Sequence, residues 1–328
     1  MTSRLAGAWT GVRDEPRYTA RLSTRVVELG PEPFKGYGIP ANKGEDSSAV
    51  RRLLSVYGRP VVSAPLRVGR ESLFALRQRL NERDREILEY VGELRLLGAR
   101  QVQELVFPDE LHATPTTAAR CCRRVLERLT REGVLVRLER RVGGVRAGSA
   151  SYVYALTSLG QRVLDVDGAR RRLSEPSAFF VDHTLAVAEF VVRLVVAARS
   201  GAFVLSEWQA EPGCWRDVTT IGGGLVLRPD LFIVILAGEY ELRWFVEIDR
   251  GTEHVPTLVG KCRLYHTYYK NGVEQREHGV FPRVLWVTVD QRRVNRLQRA
   301  IDSDRRLTAE IFRVTTEAGA LTVAGDSS

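Results

Sequence analysis

The chain has 328 residues, 44% of them hydrophobic and 27% charged, a globular composition that excludes wholesale disorder and predicts two or three domains. No run reaches the roughly 18 uncharged apolar residues of a membrane span, and the opening Met1-Thr2-Ser3-Arg4 lacks an apolar signal core, so a cytoplasmic protein without membrane contact is expected. A formal charge of +9 favours a polyanionic partner, although only four of the 49 basic residues are lysines, an arginine bias that genome composition alone can produce.

Residues 1 to 70 show no clear periodicity. Short helical stretches at 21–29 and 48–57 are conceivable, but Gly, Pro and polar residues dominate, and a poorly ordered extension is expected. From Leu73 the pattern sharpens. Ile87, Leu88, Val91, Leu94 and Leu97 recur at helical spacing, with Gly98 as the stop. Arg100 to Phe107 is a short helix. Thr114-Pro115 opens a third, because threonine caps well and proline suits the first helical position, and Gly133 closes it. Val134 to Arg141 and Ser151 to Leu156 alternate as strands around a turn carrying Gly143, Gly144 and Gly148, and a short helix follows.

Three helices, a strand, a glycine-rich turn and a strand form the order of a winged helix-turn-helix, assigned to residues 71–175. At about 100° per residue, Ala118, Cys122, Val125, Leu126 and Leu129 fall on one side of the third helix. Thr116, Arg120, Arg124, Glu127 and Arg131 fall on the other, with Arg123 at its flank. Guanidinium groups there suit phosphates and guanine edges of a major groove, which makes Thr116, Arg120, Arg123 and Arg124 candidate DNA contacts. Arg137, Arg140, Arg141 and Arg146 would lie along the duplex backbone. A solvated basic helix, or a winged helix that contacts protein, is the alternative.

The second half, residues 176–315, reads as helix (His183–Arg199), strand (Phe203–Glu211), strand (Leu225–Leu236, interrupted by Arg228-Pro229-Asp230), strand (Tyr240–Asp249), helix (Glu253–Tyr269), strand (Arg283–Val289) and helix (Arg292–Asp302). Gly222-Gly223-Gly224 suits a hairpin tip, and residues 316–328 read as a flexible tail. This α-β-β-β-α-β order implies a mixed sheet flanked by helices, so the whole chain is of α+β or α/β class. Residues two apart on a strand share a face, so Glu247 and Asp249 project together. If Asp230 lies on the neighbouring strand, three carboxylates converge and call for a proton or a cation; Mg²⁺ or Mn²⁺ suits all-oxygen ligands. The alternative is an ion-pair network with Arg243, Arg250 or Arg263. Glu189 reads as a solvent-facing helix charge, and His183 and His254 as capping or core residues. Cys121, Cys122, Cys214 and Cys262 have no metal-site spacing.

Pro229-Asp230 followed by Glu247-Ile248-Asp249 in this element order resembles the PD-(D/E)xK, restriction-endonuclease-like fold. Together with the preceding winged helix, the run Glu247-Ile248-Asp249-Arg250-Gly251-Thr252-Glu253, then Lys261 and Tyr265, resembles the replication-relaxation family of plasmids and mobile elements. The resemblance covers about residues 75 to 300. It implies a DNA-binding accessory protein in plasmid or mobile-element replication, relaxation or transfer, acting on double-stranded DNA beside a relaxase or replication protein, with a homodimer conceivable. It also implies catalytic roles for Asp230, Glu247, Asp249 and Lys261, the three carboxylates as metal ligands. Asp249 stands where the nuclease pattern has lysine, and Lys261 on the following helix is the candidate replacement. Two other readings stay open: a Mg²⁺-dependent nuclease or nickase, and a winged-helix transcriptional regulator with a non-catalytic C-terminal domain.

Overall fold

The computed structural model describes residues 69–112, 114–138, 152–164, 178–220 and 223–326. The N-terminal extension, the glycine-rich turn and Arg140, Arg141 and Arg146 lie outside the described residues.

Helices α1 (Arg70–Arg79), α2 (Glu82–Leu94), α3 (Ala99–Val106) and α4 (Pro115–Arg131) precede strands β2 (Leu135–Leu138) and β3 (Val153–Leu156) and helix α5 (Ser158–Leu164). A two-residue strand β1 (Leu97–Gly98) pairs with β3, giving an antiparallel sheet of order β1-β3-β2. Helix α4 starts where the sequence places it: the Thr114 side chain accepts a hydrogen bond from Thr117 N, and Pro115 follows at the first position. Its apolar stripe, Ala118, Cys122, Leu126 and Leu129, is buried. Helix α2 departs from expectation. It ends at Leu94 rather than Gly98, because Arg95 adopts φ 65° and turns the chain, and Leu97 becomes a strand residue.

Helix α6 (Ala178–Arg199) leads into strands β4 (Val204–Ala210), β5 (Arg216–Thr220), β6 (Gly223–Leu227), β7 (Leu231–Ala237) and β8 (Tyr240–Asp249). Helices α7 (Val255–Asn271) and α8 (Val273–His278), strand β9 (Arg283–Thr288), helix α9 (Gln291–Ser303), strand β10 (Phe312–Thr316) and helix α10 (Ala320–Ala324) complete the chain. The main sheet has the order β10-β9-β8-β7-β4; β4, β7 and β8 run antiparallel, while β8, β9 and β10 run parallel. The protein is thus of mixed α+β class. Strand alternation divides the core. Ile233, Ile235, Trp244, Val246, Ile248, Leu285 and Val287 pack toward α6 and α10. Phe232, Val234, Phe245, Val284 and Trp286 pack toward α7 and α9.

Two expectations are corrected. Leu225–Leu236 is not one interrupted strand: Arg228-Pro229-Asp230 is the joint between β6, which pairs only with β5, and β7 in the main sheet. The proline has no N–H for a ladder, which makes it a natural break. The segment after Asp302 is also not all tail. Phe312–Thr316 adds a parallel edge strand, and α10 buries Ala320 and Ala324, with the Trp244 indole donating to Ala324 O at 3.0 Å.

Helix α6 is apolar on most sides because two bodies cover it, the sheet on one side and α3 on the other. Gln101 of α3 donates to Leu185 O (3.1 Å) and to Glu189 (2.9 Å), and Arg100 pairs with Glu189 at 2.6 Å. Glu189 is therefore not a free solvent charge. Tyr90 of α2 stacks on Trp208 of β4, ring planes 4° apart. One cluster of buried side chains runs from Leu76 through α6 to Ala324. No helix among the described residues is long and apolar enough to cross a membrane.

Candidate functional site

Two regions carry the residues singled out above. The first is the outer face of α4. Because Ala118, Cys122, Leu126 and Leu129 are locked inward, Thr116, Arg120, Arg123, Arg124 and Arg131 are exposed. Among the described residues Arg120, Arg123 and Arg124 make no ion pair, which leaves their guanidinium groups available to a ligand. Arg128 is different: it turns back to the buried Asp84 carboxylate and ties α4 to the start of α2. At the base of the strand pair, the Arg137 guanidinium lies 4.1 Å from the centre of the exposed Tyr152 ring.

The second region is the end of the main sheet where β7 begins and β8 finishes. Asp230 sits just ahead of β7, its backbone N–H donating to Val246 O at 3.1 Å. One side-chain oxygen accepts from Ile248 N at 2.7 Å, and the other lies 3.1 Å from Nε2 of His183 on α6. Glu247 points to the α7 side of the sheet and is 2% exposed. One of its oxygens accepts from Lys261 Nζ at 2.5 Å and the other from the Tyr265 hydroxyl. Lys261 and Tyr265 are four residues apart on α7 and so share a helix face. Asp249 shares the strand face of Glu247, but Arg293 of α9 takes it in a two-point grip, Nε to Oδ2 at 2.6 Å and Nη2 to Oδ1 at 3.0 Å. Gly251 N also donates to it, at 2.9 Å.

The charges follow from these surroundings. Burial, reinforced by Asp230, pushes the Glu247 carboxyl up to about 7 against the pull of Lys261 and Tyr265. Burial works against the Lys261 ammonium, but Glu247 and Asp230 outweigh it and the net direction is upward. Burial and then Glu247 hold the Tyr265 hydroxyl well above its ordinary value, so it stays a donor. The hydrogen bond to Asp230 raises the His183 imidazole, and burial pushes the neighbouring Glu211 carboxyl upward. Arg95, Phe180, His183, Glu211 and Asp230 line a cleft of about 40 Å³ beside the cluster.

Of the four expected catalytic residues, Asp230, Glu247 and Lys261 thus form one charge-linked group, and Asp249 is engaged separately. The expected ion-pair partners for the carboxylates go elsewhere: Arg243 to Glu241, Arg250 to Glu317 and Arg263 to Asp304. Among the described residues no group of three or more His, Cys, Asp or Glu side chains is placed to hold a metal ion. Mg²⁺ or Mn²⁺ takes one or two carboxylates and completes its shell with water, and Asp230 and Glu247 are the two carboxylates of the linked group. Both oxygens of each are already engaged, however, Asp230 by Ile248 N and His183 and Glu247 by Lys261 and Tyr265, just as Arg293 and Gly251 engage Asp249, so an ion would have to share or displace these contacts. Sequence reasoning missed His183 and Arg293. Each joins its carboxylate from more than 40 residues away, and no local pattern announces such a pairing. The i, i+4 relation to Lys261 does announce Tyr265.

Compared with known proteins, a family model described as replication-relaxation matches residues 88–284, a span that holds both α4 and the acidic cluster. No curated protein and no solved structure matches the chain.

Proposed function

The chain belongs to the replication-relaxation family, and we propose that it is a DNA-binding accessory protein in the replication, relaxation or transfer of a plasmid or other mobile element. In this reading α3, α4 and the β2–β3 pair act as a helix-turn-helix with its wing, and the unit built on the main sheet is restriction-endonuclease-like. The partner is double-stranded DNA, with a relaxase or replication protein acting beside it. The observation that carries the reading is the row of exposed guanidinium groups at Arg120, Arg123 and Arg124, on a helix whose opposite face is locked into the core. Arginine forks match phosphates and guanine edges, and the flanking Thr116 hydroxyl can donate or accept.

A gel-shift series with Arg120, Arg123 and Arg124 changed to Ala tests this. Duplex affinity is expected to fall by about ten- to a hundredfold, and the slope of log affinity against log salt to shrink by about 0.9 for each phosphate that is no longer neutralised. Circular dichroism should be unchanged, because all three side chains are exposed. Equal affinity across the series removes α4 from the DNA interface.

One observation favours a second reading, a metal-dependent DNA nuclease or nickase: Lys261 lies 2.5 Å from Glu247, with Asp230 alongside. Asp230 and Glu247 would hold the ion. Mg²⁺ or Mn²⁺, when bound, supplies Lewis-acid stabilisation of a phosphodiester under attack. Lys261 would place its ammonium beside the scissile phosphate, Tyr265 fixes the Glu247 rotamer, and His183 fixes Asp230. On supercoiled plasmid with either ion, the wild type is expected to nick faster than Glu247→Ala. Equal rates would end the enzymatic reading and leave DNA binding untouched.

A further inference from the structure

Helix α9 carries a second arginine row. Arg292, Arg296 and Arg299 stand at i, i+4 and i+7, hence on one face, while Val294, Leu297 and Ile301 on the opposite face are buried against α7 and the sheet. All three arginines are exposed, and among the described residues none is ion-paired with a carboxylate. Arg299 is steadied by donating from Nε to Asn295 O at 3.0 Å. The nearby acids are committed elsewhere: Asp290 caps the helix by accepting from Arg293 N at 2.7 Å, Asp302 accepts from Gln298, and Asp304 holds Arg263 and Arg306. At about 1.5 Å rise per residue the row is about 10 Å long, enough to follow successive phosphates that rise about 3.4 Å along one strand.

The position of the row gives it a meaning beyond added charge. Helix α4 packs on α3, α3 packs on α6, and α6 covers one face of the main sheet, whereas α9 covers the other. The α9 row therefore stands on the face of the sheet opposite to the one that α6, with α3 and α4 behind it, covers. The row also lies beyond the residues that match the family model. We infer that the Arg292, Arg296 and Arg299 face of α9 is a second contact for duplex DNA, so that one molecule holds two DNA segments on opposite sides of its sheet. This rests on the α4 reading above for the first segment.

The test uses the full chain, a short duplex tethered to beads and a second, fluorescent duplex free in solution at low salt. Wild type is expected to retain the fluorescent duplex on the beads. Changing Arg292, Arg296 and Arg299 to Ala should lower retention at least about tenfold, while affinity for a single duplex stays within about threefold. A control lacking Arg83, Arg228 and Arg276, which removes equal charge from scattered exposed positions, should retain it like wild type. Normal retention by the α9 variant, or equal loss by the control, overturns the inference and leaves the α4 reading standing. Unimpaired single-duplex binding by the α4 variant overturns the α4 reading and the two-segment claim together, so the two failures are distinguishable.

Discussion

Lys261→Met is expected to lower the unfolding free energy by about 3 kcal/mol at pH 8, the lower end of the range for removing one partner of a buried pair. Glu247→Gln is expected to cost less than half of that. The asymmetry comes from exposure. The Glu247 side chain is 3% exposed and cannot reach water, while Lys261 is 31% exposed and can turn outward when its partner is neutral. Methionine fills the lysine stem but leaves a carboxylate enclosed with only the Tyr265 hydroxyl. Glutamine removes the charge and still presents an oxygen to Tyr265. The double variant should therefore be more stable than Lys261→Met alone.

The same pair predicts a pH dependence of known sign. The folded state holds Glu247 up to about 7, above its ordinary 4.5, so it favours the protonated acid. Stability from this group is present below pH 4.5 and is lost as pH rises through 7. Removing Lys261 takes away the charge that pulls this value down. The deficit of Lys261→Met should thus be largest above pH 7 and shrink toward pH 5, where the acid is protonated in both proteins. Urea unfolding at pH 5 and pH 8 measures this. A deficit independent of pH would show that the methionine acts through packing and not through the buried carboxylate.

Helix α4 was legible because its signals are local: a capping threonine, a proline, a terminating glycine and an apolar stripe all fall within one segment. Strand β8 was legible from end to end for the same reason, since alternation and flanking turns mark it. Alternation also placed Glu247 and Asp249 on one face correctly. It could not say what stands opposite them. Residues two apart on a strand are separated by about 6.6 Å, enough for two different helices to reach one each. Helix α7 supplies Lys261 and Tyr265 to the first, and α9 supplies Arg293 to the second. The break at Arg95 was hidden because a non-glycine residue at positive φ has no composition signal, and the neighbouring Leu97 continues the helical period by coincidence. Strand β10 was hidden because five residues after a polar stretch say little until β9 offers them an edge.

Gly160→Ala should be among the most damaging single-methyl additions to this fold. In an unstrained helix interior, alanine in place of glycine is favourable by up to about 1 kcal/mol. Here a Cβ would meet Val134 O at 2.2 Å, Val134 C at 3.1 Å and Leu156 Cδ2 at 3.1 Å. The close atom is backbone, and it is not free to withdraw: Val134 O accepts from Thr157 N at 3.1 Å, and the Thr157 hydroxyl donates to Gly133 O at 2.5 Å while capping Gly160 N at 3.0 Å. Any shift of α5 that relieves the clash loosens this cap and the approach to β2. A backbone clash of the overpacking kind, with the cap broken, amounts to roughly 3 kcal/mol. Gly92→Ala in α2 is the matched control. Its Cβ would meet only the ends of Leu156 and Leu164, at 3.2 Å each, which can rotate away, so a change within about 1 kcal/mol is expected. Chemical denaturation of the two variants reads the difference. Helix α5 also holds α1, through Arg77 donating to Val163 O at 2.9 Å, and it abuts the strand pair beside α4. Duplex affinity of Gly160→Ala should therefore fall only at temperatures where the variant has begun to melt. A fall in affinity at low temperature, with stability unchanged, would mean that α5 shapes the proposed DNA contact on α4 directly and does not merely brace it.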